Sequence, residues 1–272
     1  MTQPEPAEQP PPGVDPTVPS PARMWNYWIG GTDHYPADRA VGEQVQATMP
    51  SMPMLARYAR RFLADAVRLL AAEHGIRQFL DIGTGLPTAG NTHQVAQEIA
   101  PAARVVYVDN DPSVLAQAGG LLTSRPEGVT AYVDADLRDV DSVLAGARQT
   151  LDFRQPMAVL FIAVLHFIPD SDDPYRIVQR LLDAVPPGSF LVVGHAAGDI
   201  QADVVGPAMD LYNQRSAAPI SLRPRDGVAR FFDGLELIAP GVVPLDQWWG
   251  PGEVEPSAVG RLSGYAGVAR KP

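Results

Sequence analysis

Phe79-Leu80-Asp81-Ile82-Gly83-Thr84-Gly85-Leu86-Pro87-Thr88 is the stretch on which the reading of this chain turns. Residues 78–82 read as a buried strand, the glycines as the turn that leaves it, and residues 92–99 as the helix behind. Two glycines one residue apart at a strand end let the backbone turn tightly and lie close to a ligand. In the dinucleotide-binding pattern a third glycine follows, and a pyrophosphate rests on the loop amides and the helix N-terminus. Here Thr88 holds that third position, Pro87 precedes it, and Asp81 stands two residues before the first glycine. A carboxylate there repels a phosphate and suits a cation.

Outward from this turn the chain alternates as parallel α/β proteins do. Strands are expected at 104–108, 129–133, 157–162 and 189–194. Helices are expected over 112–124 and 141–150, with another opened by Asp172-Asp173-Pro174. Five such units imply an α/β fold, a doubly wound Rossmann-like sheet with right-handed crossovers. The end of the chain departs from the pattern. A helix over 201–214 and a short one over 225–232 precede apolar pieces at 235–238 and 242–243, a Trp248-Trp249 loop and a last strand at 265–270. Two late strands without a helix between them suggest an antiparallel hairpin at the sheet edge.

Three regions are expected. Residues 1–22 hold eight prolines, three acidic residues and no Lys or Arg, and read as a disordered Pro-rich tail. Residues 23–75 form an N-terminal helical segment, and residues 76–272 form the ligand-binding domain. In the helical segment Trp25, Tyr27 and Trp28 lead into Gly30-Gly31. Two readings fit this: a staple packed on the domain, or a lid hinged at the glycines. Helices are expected over 38–49 and 55–74. The second carries an apolar stripe with Arg57, Arg60, Arg61 and Arg68 largely off it, read as a solvated basic face with anion binding as the lesser alternative.

Composition narrows the function. With 46% hydrophobic residues, the 272-residue chain has ample material for a large core. A net charge of −10 argues against sequence-independent nucleic-acid binding, which needs clustered Lys and Arg. The absence of cysteine excludes disulfides and thiolate metal sites. No apolar run is long enough to span a membrane and no signal peptide opens the chain, so a cytoplasmic location without membrane partners is expected.

In open α/β sheets ligands sit beyond the carboxyl ends of the strands. Those ends carry Asp81/Gly83/Gly85, Asp109, Asp136 and, past the fourth strand, His166. Asp109 lies 26 residues after Gly83, where a carboxylate can accept two ribose hydroxyls. Asp111-Pro112 reads instead as a helix cap. Asp136 has two readings, an acceptor for an adenine amino group or a solvated turn acid. S-adenosylmethionine has an ammonium, a sulfonium and no phosphate, which matches this set.

The segments 79–89, 105–112, 132–139 and 158–169 resemble the successive motifs of class I S-adenosylmethionine-dependent methyltransferases. More narrowly, residues 23–272 resemble an actinobacterial family of such enzymes, first catalogued as a domain of unknown function. The likeness rests on Tyr27-Trp-Ile-Gly30-Gly31-Thr-Asp33, Leu80–Thr88, Tyr107–Pro112 and Leu165–Asp170. His34 departs from it, standing where the family often has asparagine. The resemblance implies a seven-stranded sheet with an antiparallel last strand and an N-terminal segment that closes over the cofactor. It implies cofactor contacts from Asp81, Gly83, Thr84, Gly85, Asp109, Asn110, Asp136, Leu137 and Ala163, with Tyr27, Gly30, Gly31 and Asp33 from the closing segment.

On this reading the protein aligns a small-molecule acceptor in line with the methyl group. A base is needed only where the acceptor must lose a proton. His166 is the first candidate, His195 the second and His34 a weaker third; each has a structural reading as well. His74 and His93 read as helix-surface residues. No metal triad has usable spacing, so transfer without a metal is expected. An alternative is a cofactor-binding regulatory protein without transfer. A nicotinamide-dependent dehydrogenase is disfavoured by Asp81 and Thr88. Trp25, Trp28, Trp248 and Trp249 form a candidate pocket for a flat or apolar acceptor.

Overall fold

The computed structural model describes residues 10–121, 124–248 and 261–272; the Trp249 expectation lies outside them. Three helices come first: α1 (Pro21–Ile29), α2 (Pro36–Thr48) and α3 (Met52–Ala72). The alternating part runs β1 (Gln78–Ile82), α4 (Thr92–Ile99), β2 (Arg104–Asp109), α5 (Pro112–Leu121) and β3 (Val129–Asp134). It continues with α6 (Val140–Ala147), β4 (Ala158–Ile162), α7 (Pro174–Asp183) and β5 (Phe190–Ala196). α8 (Ala202–Asn213), α9 (Arg225–Ala229), β6 (Glu236–Leu237), β7 (Val243–Pro244) and β8 (Gly264–Arg270) follow.

The strands lie in the order β3-β2-β1-β4-β5-β8-β6, with β7 also paired to β8. β1 to β5 are parallel, and β8 runs antiparallel to β5, β6 and β7. The chain winds outward from β1 to β3 and then crosses back to β4, so the order reverses between β1 and β4. The sheet counts eight strands, not the expected seven, because the two-residue strands β6 and β7 both pair with β8. The late strands do pair antiparallel at the sheet edge, as expected, β8 with both β6 and β7. The residues of β8 from Gly264 to Ala269 are buried, so it seats between β5 and the short strands that cover its far side.

Alternation along β1 sets the layers. Phe79 faces one core with α3 and α8, while Leu80 and Ile82 face the other with α6 and α7. Each core is continuous across several strands, as a sheet covered on both faces requires.

Residues 10–22 are a correction to the expected disordered tail. Arg23, itself buried, donates from Nη2 to the carbonyls of Asp15 and Val18 and from Nη1 to Ser113 Oγ at 2.8 Å. Val14 is buried, and Ser20 Oγ donates to Asp111. The strap is ordered by one guanidinium that lies outside the proline-rich stretch itself. Behind it, Asp38 is fully buried and accepts from Arg23 Nε, Ser20 N and Tyr35 N, each at 2.8 Å. Deleting one member of a buried pair leaves an uncompensated charge, so Asp38→Ala should lower unfolding free energy by about 3–5 kcal/mol in urea titration. A loss below about 1 kcal/mol, the size of a surface pair, would contradict this anchoring role.

Candidate active site

Two cavities meet above the carboxyl ends of the parallel strands. The first is a cleft of about 450 Å³ at the β1/β4 switch point. The second is a smaller apolar chamber of about 60 Å³. Trp25, Pro21, Ala163 and Phe167 border both, so α1 roofs the pair and Ala163 stands at the junction.

The loop after β1 forms the floor of the cleft. Gly83 and Gly85 have φ of +73° and +64°, in the region that costs a side chain dearly. A Cβ on Gly83 would also overlap the Val164 side chain, while nothing lies near the equivalent point on Gly85. The loop is tied to its neighbour: Gly83 N donates to Val108 O and Gly85 N to Asp109 Oδ2, both at 2.8 Å. Asp109 also accepts from the amides of Asn110 and Asp111, and burial raises its pKa. Asp111 caps α5, accepting from Ser113 N at 2.7 Å.

Asp81 is the most demanding member. It is 5% exposed, accepts from Thr92 Oγ1 at 2.6 Å, and lines the cleft. Burial pushes its pKa up to about 6, against the hydrogen bond from Thr92 and the charge of Arg60. Arg60 also corrects an expectation. It lies on the cleft wall, with Nη2 3.3 Å from Gly90 O and 3.4 Å from Asn91 Oδ1, not on a solvated face. No motif announces it; the α3 register does, once the position of α4 is known.

Asp136 borders the cleft but is engaged by its own neighbours. Arg138 donates to it from N, Nε and Nη2, and Asn110 from Nδ2, and these bonds hold its carboxyl below the usual range. Leu137, Thr84, Asn110 and Ala163 line the cleft as well. Ala163 has φ +58°, a strained conformation for a residue with a side chain, and donates to Gly194 O at 2.9 Å.

Tyr27, Gly30, Gly31 and Asp33 are not among the residues that line the cleft. Gly30, with φ +89°, caps α1, and Gly31 packs so closely on the Asn26 side chain that a Cβ would overlap it. Asn26 Oδ1 accepts from Asp33 N at 2.9 Å, and Tyr27 meets the His34 ring edge-on. The cleft is roofed instead by Pro21, Ala22 and Trp25 of the same helix.

The histidines separate clearly. His195 donates from Nδ1 to Ala196 O at 2.7 Å and accepts at Nε2 from Arg223 Nη1 at 2.9 Å. Burial takes its pKa down to about 4, so it is neutral with both nitrogens used, which fits the structural one of its two readings. Arg223 was invisible in the sequence. Buried, it also donates to the carbonyls of Leu165 and Ile168 and to Asp170 at 2.6 Å, fixing the 3₁₀ turn Leu165–Phe167. That turn carries His166, which lines the chamber, with Nδ1 buried and unpartnered. Burial, with His195 and Arg223 nearby, puts its pKa well below the usual value. His93 is buried, not on the surface: its ring and amide nitrogens both lie 2.8 Å from Tyr107 Oη. Trp25 and Trp28 line the chamber, whereas Trp248 packs edge-on against Phe62.

A doubly wound sheet with a glycine turn and carboxylates at its switch point is the frame of a nucleoside-binding enzyme, class I methyltransferases among them. The chain belongs to the S-adenosyl methyltransferase family, whose pattern matches residues 7–272. It is an S-adenosylmethionine-dependent methyltransferase. Among solved structures, a DUF574-family protein from Streptomyces avermitilis is 43% identical, with TM-score 0.90 over 94% of this chain and 98% of that one. A candidate methyltransferase from Thermobifida fusca is 36% identical, with TM-score 0.88 over 97% and 98%. The plantazolicin methyltransferase BpumL, solved with S-adenosylhomocysteine, shares the fold at 11% identity and TM-score 0.51, over 92% and 95%. No curated protein matches the chain. No described helix is long and apolar enough to cross a membrane.

The residues present fit this cofactor. Bare backbone at Gly85 admits a close approach, Asp81 is a buried carboxylate beside the cleft, and Leu137 and Val164 offer apolar contact. A ligand ammonium favours ionised Asp81, so below about pH 6 binding must first expel a proton. S-adenosylmethionine affinity should therefore rise about tenfold per unit from pH 4 toward 6 and level off above, by calorimetry. Asp81→Asn should flatten that profile; a flat wild-type profile would contradict it. Without ligand the sign reverses: the folded state keeps a proton that an unfolded carboxyl of pKa about 3.9 has released, so stability falls between about pH 4 and 6.

Proposed function

We propose that this protein moves a methyl group from the cleft, past Ala163, to a small molecule held in the apolar chamber. The observation that carries the proposal is the junction itself: two cavities of different character share a border at Ala163 and Phe167. When bound, S-adenosylmethionine supplies a methyl group on a sulfonium that is already electrophilic.

The chain's part is to hold and align. Asp109, fixed by three backbone amides, keeps lone-pair capacity for ribose hydroxyls. Asp81 and Arg60 present opposite charges for the two charged ends of an amino acid. Leu137 and Val164 supply apolar contact for the nucleobase, with Asn110 and Asp136 at the rim. α1 keeps water from the junction. Orientation of this kind contributes about 7–11 kcal/mol to lowering a barrier. His166 is the chamber's candidate proton acceptor for an acceptor that must be deprotonated.

Transfer without a metal is supported by the ligand inventory. The chain has no cysteine, and among the described residues no three His, Asp or Glu stand close enough to hold an ion. An apolar chamber without charged lining and a net charge of −10 favour a small acceptor over a nucleic acid.

Titration with S-adenosylmethionine tests the cleft. Asp109→Ala should weaken binding by about 1.5–3 kcal/mol for each charge-assisted hydrogen bond lost, and unchanged affinity would remove Asp109 from the site. Labelled S-adenosylmethionine with a metabolite extract tests transfer. Label should pass to a small molecule at a rate that a chelator leaves unchanged. Tight binding with no label transferred would favour a regulatory role, and chelator inhibition would overturn metal-free transfer.

A further inference from the structure

The chamber behind Ala163 differs in kind from the cleft. Among the described residues that line it, none is Asp, Glu, Lys or Arg. Its walls are Trp25, Trp28, Met52, Leu55, Met209 and their neighbours. A charged group entering such a space loses its hydration and finds no counter-charge. Arg223, which is not in the lining, gives Nη1 and Nη2 to His195, two carbonyls and Asp170, and only its buried Nε lacks a partner.

Several polar side chains border the chamber. His195 uses both ring nitrogens within the protein, Ser263 Oγ donates to Ile200 O at 3.0 Å, and Trp28 Nε1 donates to Gly42 O at 3.2 Å. Tyr212 pairs with Ser216 and Tyr265 with Asp199. His166 Nδ1 remains, buried with no hydrogen-bond partner. An unpaired polar atom beside an apolar chamber is costly unless a ligand completes it.

We infer that the methyl acceptor is an uncharged, largely apolar ring compound bearing a hydroxyl or carbonyl group that pairs with His166. Carboxylates, phosphates and ammonium compounds are excluded by the lining. The inference rests on the assignment of the neighbouring cleft to the cofactor.

The test uses the full chain saturated with S-adenosylhomocysteine, with Trp25 and Trp28 as fluorescent reporters in the chamber wall. The probes are 2-naphthol, naphthalene, 2-naphthoate and 2-naphthylmethylammonium. 2-Naphthol should bind about tenfold or more tightly than either charged probe, since burying an unpaired charge is the larger cost. It should also bind more tightly than naphthalene. His166→Leu should reduce that preference about three- to tenfold, the worth of one hydrogen bond. Retained S-adenosylhomocysteine binding shows that the variant is folded. Charged probes that bind as tightly as 2-naphthol, no binding of 2-naphthol, or a preference unchanged in the folded variant would each overturn the inference. Failure of S-adenosylhomocysteine to bind the wild type would instead overturn the reading of the cleft.

Discussion

Parallel pairing of β1 with β2 on one side and β4 on the other is the constraint on which the site depends. In that register Asp81 lies opposite Tyr107 and Leu160, so the loops that follow leave the sheet at nearly one level. Gly83 N then reaches Val108 O, Gly85 N reaches Asp109, and Ala163 N reaches Gly194 O. Each bond joins the end of one strand to the end of the next. The cleft is what remains where the strand order reverses and no crossover helix covers the gap.

The two cavities divide the chemistry. In the cleft, burial raises the pKa of both Asp81 and Asp109, a cost that stability alone gives no reason to keep. A cationic ligand group offsets it. In the chamber the charges are absent and the unmet group is neutral. The strained backbone of Ala163 stands where the two environments meet, with Phe167 and Trp25 closing the sides. Arg223 holds this arrangement from behind, by gripping the turn that carries His166 and locking the tautomer of His195.

Local patterns were legible in the sequence. The bounds of β1 and α4 follow from an apolar run, two glycines and a helical stripe, all within 22 residues. The carboxyl-end acids were legible because the strand rule places them without further knowledge. What escaped depends on partners distant in the chain. The strap at 10–20 looks unfoldable by composition, yet Arg23 and Ser113 hold it. Arg60 looks like one of four solvated cations until α4 brings the Gly90–Asn91 turn beneath it. His195 keeps two readings, base or structural, until Arg223, 28 residues later, occupies its lone pair.

A crystal structure of the full chain with S-adenosylhomocysteine tests the central claim most directly. The ribose is expected on Asp109, the amino group toward Asp81, and the sulfur beside Ala163 facing the apolar chamber. A nucleoside bound away from the β1/β4 rim, or a sulfur turned from the chamber, would contradict it.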